Sequence, residues 1–187
     1  MGEGREATLE EARAISAYSG WGGAANAFAE NPTGGWADVS RDLKELLSDD
    51  EFADQRATVL TAFYTPRPVV ELIWETLRDA GICDEGRAEI LEPGCGTGNF
   101  MRCVPVGMDV HVTGVEIDPV SAGLARVLCP DHTIVAADIA KCEIPEGSFD
   151  AAIGNVPYSD AIKIDGVPLH DYMIKRAVAA VRPGGIV

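Results

Sequence analysis

The chain has 187 residues, of which 47% are apolar and 24% charged, a composition typical of a globular protein with its own core. Its 30 acidic and 15 basic side chains give a formal net charge of −15. Because phosphate neutralisation dominates nucleic-acid affinity, this charge excludes a protein that binds nucleic acid over its whole surface. A nucleic-acid substrate would have to be held by a local patch, by another domain or by a partner.

The sequence carries no signal for a membrane, for export or for a metal. No apolar run approaches the roughly 20 residues that span a bilayer, and the acidic N-terminus lacks the basic-then-apolar order of a signal peptide. The cysteines are odd in number and form no C-x-x-C pair, which argues against a zinc site and against a disulfide framework. We therefore predict a cytoplasmic protein without a membrane span or a metal site.

Residues 1–60 are predicted to form a helical lead-in that is rich in turns. Thr8 with Glu11 and Ser48 with Glu51 have the spacing of capping boxes, in which a hydroxyl and a carboxylate pair across the first turn of a helix. The predicted elements are a helix after each box, a helix over about 40–47, and loops in the glycine-rich segments SGWGGAANAF and NPTGGW.

From residue 61 the pattern changes to alternating helices and strands. In FYTPRPVVELIWETLRDAG, Thr65 is predicted as the N-cap, Pro66 as the first helical residue and Gly81 as the C-terminal cap. The elements predicted next are the strand AEILEPG, a glycine loop with a short helix, the strand HVTGVEID, the helix PVSAGLARVLC, the strands HTIVAAD and FDAAIGN, the helix LHDYMIKRAVAAV and a half strand in GGIV. Apolar strands that alternate with helices predict an α/β fold with a doubly wound parallel sheet over 61–187.

Polar groups fall at the predicted carboxyl ends of these strands, where such sheets bind ligands. In LEPGCGTGNF, Gly94, Gly96 and Gly98 alternate and let the backbone approach a ligand without an intervening Cβ. This loop alone is weak evidence, because dinucleotide-binding proteins carry a similar one. The next three strands end at or near Glu116, Asp138 and Asn155.

This series of polar groups favours a ligand that contains adenosine. Glu116 is placed to accept hydrogen bonds from both ribose hydroxyls, and Asp138 to accept one from the exocyclic amine of adenine. The alternative is that Glu116, Asp118 and Asp138 are only helix caps and turn residues. An acidic Glu92 beside the glycines would repel phosphate oxygens and attract a cationic methyl donor, which favours S-adenosylmethionine over NAD.

The segment AAIGNVPYSD has two interpretations. Asn155 and Pro157 are common turn residues, so an ordinary strand end explains them, with Tyr158 packed against the nearest surface. The alternative is a site that holds a flat ring bearing an amine. Further along, His170, Asp171 and Tyr172 are interpreted as the first turn of a helix rather than as acid–base groups.

The segments FYTP, LEPGCGTGNF, GVEIDP, AADI and GNVPY occur in this order, and together they resemble the methyltransferases that methylate the exocyclic nitrogen of adenine in DNA. The likeness, over about residues 18–187, is greatest to the methylase part of helicase–methylase proteins of phages and conjugative elements, in which a GWGG segment precedes the cofactor domain. It implies S-adenosylmethionine as the cofactor and a Rossmann-like sheet of the class I methyltransferase type. Because the sequence stops at VRPGGIV, we expect that sheet to be truncated at its fifth strand.

The resemblance also implies individual site residues. The family motif is Asn or Asp, Pro, Pro, then Tyr or Phe, and here Val156 replaces the first Pro. The ring of Tyr158 would stack on a flipped adenine, and the Asn155 side chain and the Val156 carbonyl would accept the amine hydrogens. The implied catalytic residues are Asn155, Val156, Pro157 and Tyr158. The implied cofactor-binding residues are Tyr64, Thr65, Glu92, Pro93, Gly94, Gly96, Gly98, Asn99, Phe100, Glu116, Ile117, Asp138, Ile139 and Asn155.

Several alternatives stay open at this point. Methyltransferases that act on adenine in ribosomal RNA also carry an apolar residue in the place of Val156, and protein-glutamine methyltransferases use a similar motif, although FYTP favours DNA over both. The chain is alternatively a cofactor-binding fragment without activity, or, more remotely, an NAD oxidoreductase. DNA is expected to be held through missing domains or a partner, and the exposed edge of the sheet is expected to favour self-association.

Overall fold

A computed structural model of the protein describes residues 7–18, 21–59, 64–158 and 162–187. The chain divides into two compact units, which we call the helical unit (19–64) and the sheet unit (1–18 together with 65–187). Helix α1 (Leu9–Ser16) lies in the sheet unit, whereas the sequence predicted it as part of the lead-in. Among the described residues, no helix is long and apolar enough to cross a membrane.

The helical unit has an aromatic core of its own. Its elements are a 3-10 helix (Gly22–Phe28), α2 (Gly35–Leu46) and α3 (Asp49–Thr58). The ring centroid of Phe28, a buried residue, lies 5.2 Å from that of Trp21 and 5.0 Å from that of Phe52. The indole N–H of Trp21 donates to Gln55 Oε1 at 2.7 Å, so this core leaves the indole nitrogen satisfied.

Both predicted capping boxes are confirmed. The Glu11 N–H donates to Thr8 Oγ1 at 3.3 Å, and the Glu11 carboxylate accepts from the Thr8 N–H at 2.8 Å. Ser48 and Glu51 form the same reciprocal pair at the start of α3, at 3.3 and 2.9 Å. Each box satisfies N–H groups that the first turn of a helix leaves unpaired.

Two predictions in the helical unit are wrong. The segment predicted as a glycine-rich loop is a 3-10 helix over 22–28, which brings Ala27 and Phe28 into the core. Helix α2 begins at Gly35 rather than near residue 40, and its Trp36 packs against the same core. In both places burial of an aromatic side chain outweighs the low helix propensity of glycine.

The sheet unit contains the predicted parallel sheet. Its strands are β1 (Ala88–Pro93), β2 (Val110–Glu116), β3 (Thr133–Ala136), β4 (Phe149–Ala152) and β7 (Val181–Ile186), with a separate antiparallel hairpin of β5 (Lys163–Ile164) and β6 (Val167–Pro168). The five strands of the sheet lie in the order β3-β2-β1-β4-β7. Its other helices are α4 (Arg67–Asp79), a 3-10 helix (Met101–Cys103), α5 (Pro119–Leu128) and α6 (Leu169–Ala180). All four neighbouring strand pairs of the sheet are parallel, so the predicted fold class is confirmed.

Apolar helices cover both faces of the sheet. Ile90 and Leu91 are adjacent in β1 and therefore point to opposite faces. Ile90 packs in one cluster with Trp74 of α4 and Ala122 of α5, and Leu91 packs in the other with Met173 of α6. This two-sided burial explains why Ile90 and Leu91 are both apolar although they point to opposite faces.

The order of the strands reverses beside β1. The chain runs from β1 outward through β2 to β3, and then returns to place β4 on the other side of β1. In open parallel sheets, ligands bind in the crevice at such a reversal, outside the carboxyl ends of the strands. The loops that follow β1 and β4 therefore flank the expected site, and they are the glycine loop and the GNVPY segment.

The hairpin of β5 and β6 was not predicted, although its turn has a sequence signature. Asp165 and Gly166 both adopt positive φ angles, 51° and 80°, which an Asp-Gly pair in a two-residue hairpin favours. The hairpin leads directly into α6 and so determines where the first turn of that helix lies.

We predict that Gly98 is required for stability for two reasons: its backbone is left-handed, and a side chain at this position would have no room. Its φ is 78°, and a Cβ at this position would lie 2.6 Å from Cys129 Sγ of the segment that ends α5. We expect Gly98→Ala to lower the free energy of unfolding by roughly 1–3 kcal/mol, because strain and overpacking add. Urea denaturation of the purified chain measures this.

The matched control is Gly123→Ala in the interior of α5. A Cβ there has no neighbour within 4 Å, so alanine should raise the stability by about 0.5–1 kcal/mol through its higher helix propensity. Equal effects of the two substitutions would contradict the packing argument for Gly98.

Candidate active site

The glycine loop connects β1 to the 3-10 helix at Met101 and owes its shape to three left-handed residues. Gly94, Gly96 and Gly98 have φ angles of 75°, 55° and 78°, a region that favours glycine. The N–H groups of Gly94 and Cys95 both donate to the Val115 carbonyl, at 2.8 and 3.0 Å. The loop therefore folds back over the ends of β1 and β2.

Glu116 is the last residue of β2, as predicted, and it ties this strand to the glycine loop. Its Oε2 accepts from the Gly96 N–H at 2.8 Å, and its Oε1 accepts from the Asp118 N–H at 2.8 Å. Burial raises the pKa of Glu116, and the hydrogen bonds from these two N–H groups oppose the rise. Asp118 itself caps α5 through the N–H groups of Val120 and Ser121, so the interpretation as a helix cap is correct for Asp118 and does not apply to Glu116.

Asp138 lies two residues beyond the end of β3, because the strand ends at Ala136 rather than at Asp138 as predicted. Its Oδ1 accepts from the Ala140 N–H at 2.9 Å, and its Oδ2 is 3.7 Å from Lys141 Nζ. Two apolar residues predicted for the same site differ in exposure: Ile117 is 68% exposed, whereas Ile139 is buried in the core.

Glu92 is a buried carboxyl at the end of β1. It is 2% exposed, and its Oε2 has no hydrogen-bond partner among the described residues. Burial, and secondarily the charge of Glu116, raises the pKa of Glu92 well above its ordinary value. Thr97 in the glycine loop is fully buried, and its Oγ1 also has no partner in the described part of the chain. An acidic group with an unpaired oxygen beside a loop that has glycine at 94, 96 and 98 suits a ligand that carries positive charge.

The segment before α4 contacts the other end of the glycine loop. Asn99 Nδ2 donates to the Thr65 carbonyl at 2.7 Å. Helix α4 has Pro66 as its N-cap, so the prediction of Thr65 as the N-cap is wrong by one residue. Phe100, predicted to bind the cofactor, is buried, and its carbonyl accepts from the Trp74 indole N–H at 2.8 Å. Tyr64 is part of the helical unit.

The segment Asn155–Tyr158 follows β4 and approaches the glycine loop. Strand β4 ends at Ala152, three residues before Asn155, and its pairing with β1 continues through the Ile153 N–H, which donates to the Leu91 carbonyl at 2.9 Å. A Cβ on Gly94 would lie 3.9 Å from Pro157 Cδ, so the two loops are neighbours. Tyr158 is 74% exposed, which is unusual for a large aromatic ring and means that it is not part of the core.

Sequence reasoning missed two residues of α6 that lie at these loops. His170 places its ring 5.6 Å from that of Tyr158, and Met173 Cε would be 3.2 Å from a Cβ on Gly94. The interpretation of 170–172 as the first turn of a helix is confirmed. The spacing of His170 and Met173 predicts that they share one face of a helix, because residues i and i+3 do so. It does not predict what that face contacts, since the position of the helix depends on the hairpin before it.

Two cysteines at or near the glycine loop, Cys95 and Cys129, are buried and unreactive. Burial raises the pKa of Cys129 to about 12 and raises the pKa of Cys95 further. Since the thiolate is the reactive form, neither side chain is a nucleophile at neutral pH. Cys95 therefore has a packing role.

The chain is similar to known methyltransferases. The family model of the methyltransferase domain matches residues 90–185, just over half of the chain. The chain is 40% identical over 122 residues to the type II methyltransferase M.CvrRI of Paramecium bursaria Chlorella virus XZ-6E, which covers 65% of this chain and 29% of that protein. It is 30% identical over 136 residues to the defense against restriction protein B of Escherichia phage P1, covering 67% of this chain and 6% of that protein. The chain therefore spans less than a third of the length of either relative.

Among solved structures, a protein from Listeria monocytogenes described as a class I S-adenosylmethionine-dependent methyltransferase has a similar fold. The two share 17% sequence identity with a TM-score of 0.56, over 92% of this chain and 64% of that one. At this identity the likeness concerns the fold.

The buried Glu92 predicts a specific dependence of stability on pH in the protein without ligand. Because its pKa is higher in the folded than in the unfolded chain, the folded state binds the proton more tightly. The resulting stability is fully present below the unfolded pKa of about 4.5 and is lost as the pH rises through the folded pKa. We expect the Glu92→Gln variant to lose less of its free energy of unfolding than the wild type as the pH rises above the ordinary pKa of a glutamate.

Urea denaturation at several pH values measures this difference. Glu75→Gln in α4 is the matched control, because it makes the same chemical change at an exposed carboxyl. Parallel curves for the wild type and Glu92→Gln would show that Glu92 does not titrate differently in the folded state.

Proposed function

The chain belongs to the methyltransferase-domain family, with S-adenosylmethionine as its cofactor, and from this premise we propose that it transfers a methyl group to the exocyclic amine of adenine in DNA. When bound, the cofactor supplies an electrophilic methyl group on a sulfonium. The observation that supports the proposal most strongly is the exposed Tyr158 ring on a loop whose Pro157 lies beside Gly94 of the glycine loop.

The cofactor would be held at the ends of β1, β2 and β3. The glycine loop offers backbone without a Cβ at Gly94, Gly96 and Gly98, and Glu116 offers carboxylate oxygens beside it for ribose hydroxyls. Asp138 would accept from an adenine amine through Oδ2, because the Ala140 N–H uses Oδ1 and the ion pair of Oδ2 with the exposed Lys141 is long, at 3.7 Å. The unpaired oxygen of Glu92 would complement positive charge.

The acceptor amine would be oriented by the GNVPY segment. The side-chain oxygen of Asn155 and the carbonyl of Val156 would accept its two hydrogens, while the ring of Tyr158 stacks on the base. Two such acceptors draw the nitrogen out of conjugation with the ring and direct its lone pair toward the methyl donor. The contribution of these residues is positioning and electrostatics, and no covalent bond to the protein is needed.

DNA is favoured over the other acceptors by the relative with the higher identity. That protein, a viral type II methyltransferase, is 40% identical to this chain over 122 residues. Because the net charge is −15, we propose that duplex DNA is bound mainly by other domains or by a partner. RNA adenine and protein glutamine are the alternative acceptors, since both offer a planar nitrogen that the same oxygens would orient.

Replacing Asp138 tests the cofactor site. Asp138→Ala should weaken S-adenosylmethionine binding by roughly 1–3 kcal/mol, because the adenine amine loses its acceptor. Isothermal titration calorimetry with the purified chain measures the affinity directly. Unchanged affinity in this variant would remove Asp138 from the site.

Replacing the acceptor residues separates binding from transfer. Asn155→Ala and Tyr158→Ala should leave cofactor affinity within about twofold of the wild type while methyl transfer falls steeply, since stacking alone contributes roughly 1–3 kcal/mol per base. The assay is transfer of a radiolabelled methyl group to single-stranded DNA of mixed sequence at low salt. A single strand avoids the free energy of flipping a base out of a duplex.

Tyr158→Phe is the matched control, because it keeps the ring and removes only the hydroxyl. It should retain most of the transfer rate. Transfer at the wild-type rate by Tyr158→Ala would contradict the stacking role, and no transfer to DNA by the wild type would contradict the proposed function.

A further inference from the structure

The first turn of α6 contacts both loops of the proposed site. Met173 Cε would be 3.2 Å from a Cβ on Gly94 in the glycine loop, and the ring centroid of His170 is 5.6 Å from that of Tyr158. His170 and Met173 are three residues apart, so they lie on the same face of the helix. One side of one helical turn therefore connects the cofactor loop with the acceptor loop.

Tyr158 has one aromatic neighbour among the described residues. The rings of Tyr158 and His170 are tilted by 33° at a centroid distance of 5.6 Å, within the range of favourable aromatic pairs. Because Tyr158 remains 74% exposed, the ring face turned away from His170 is open. A large, exposed ring held on one side only is suited to receive a second planar group on the other side.

His170 has no hydrogen bond that explains its position. Its Nδ1 is buried without a partner among the described residues, and its Nε2 is 3.6 Å from Asp171 Oδ1, beyond hydrogen-bond distance. A buried, unpaired ring nitrogen is unfavourable, so the contribution of this side chain to stability through hydrogen bonds is small. What the side chain does provide is a ring surface against Tyr158.

The hairpin before α6 determines where this ring lies. The Leu169 N–H donates to the Ile162 carbonyl at 3.0 Å, which closes the hairpin of β5 and β6 at the start of the helix. With Asp165 and Gly166 in the turn, the chain reverses and delivers His170 beside the loop that follows β4. The ring contact therefore joins segments that are separated in sequence by this hairpin.

We propose that His170 is a positioning residue that supports the ring of Tyr158 from behind and so presents its open face to the acceptor base. The inference rests on the proposed function and deepens it. His170 acts through Tyr158 and does not touch the reacting atoms. Its contribution is to limit the rotation of a ring that would otherwise be free in solvent, so that less conformational entropy is lost when the base stacks.

The first experiment is a double-mutant cycle on methyl transfer to single-stranded DNA of mixed sequence. His170→Ala should raise the KM for DNA roughly 2- to 10-fold, in line with the strength of an aromatic pair, and leave kcat and cofactor affinity nearly unchanged. In a Tyr158→Ala background, His170→Ala should have an effect of less than about twofold, because the ring that it supports is gone. Independent, multiplying effects of the two substitutions would overturn the proposal.

A conservative variant distinguishes the ring from its nitrogens. His170→Phe keeps a planar ring and should retain the wild-type KM and the wild-type pH profile of kcat/KM. If His170→Phe is as impaired as His170→Ala, or if its pH profile changes, the imidazole acts through its nitrogens and the positioning role is wrong. Val178→Ala, an exposed substitution two turns further along α6, controls for general effects on the helix.

A second measurement is independent of activity. In the chain labelled with carbon-13 at histidine, Tyr158→Ala should shift the ring resonance of His170 and leave those of His111 and His132 in place, because only His170 loses a ring current. An unchanged His170 resonance overturns the proposal. If the wild type transfers no methyl group to DNA, the proposed function fails, and this measurement still decides whether the two rings are in contact.

Discussion

Glu116 accepts hydrogen bonds from the N–H groups of Gly96 and Asp118, each at 2.8 Å, and the arrangement of the site depends on these two contacts. A loop with three left-handed glycines has few side chains of its own that can fix its position. The Glu116 carboxylate, at the end of the neighbouring strand, fixes it through the Gly96 N–H. The same carboxylate fixes the start of α5, because Asp118 is its N-cap. The glycine loop, β2 and α5 are therefore held at one point, where the proposal places the ribose.

The second constraint is the proximity of the loops that follow β1 and β4. Their strands are neighbours in the sheet, and the strand order reverses beside them, so the loops meet above the reversal. A Cβ on Gly94 would lie 3.2 Å from Met173 Cε, which would have to shift slightly, and 3.9 Å from Pro157 Cδ, an ordinary contact. In the proposed reaction, this contact sets the distance between the methyl donor and the acceptor amine, which a loop of ordinary flexibility would leave variable.

Most of the fold, and the position of Glu116 at the end of a strand, were predictable from the sequence because both follow from local rules. Glu116 ends a strand with alternating burial, and Asp118 followed by a proline is a strong helix start. The 3-10 helix at 22–28 was not predictable, because its glycines favour a loop and only the burial of Phe28 decides otherwise. The contact of His170 with Tyr158 was not predictable either, since it depends on a hairpin of two short strands. The unpaired oxygen of Glu92 was not predictable, because finding it requires the position of every neighbour of a buried side chain.

The most direct test of the proposed reaction is to identify the atom that receives the methyl group. The chain is incubated with S-adenosylmethionine carrying a labelled methyl group, together with equal amounts of single-stranded DNA, RNA and unfolded protein of mixed sequence, and the products are digested and separated by mass. Label in N6-methyladenine from DNA, lost in Asn155→Ala, is the result that we predict. Label mainly in RNA adenine or in glutamine, or label in DNA that persists in Asn155→Ala, would contradict the proposed acceptor or the proposed role of the GNVPY segment.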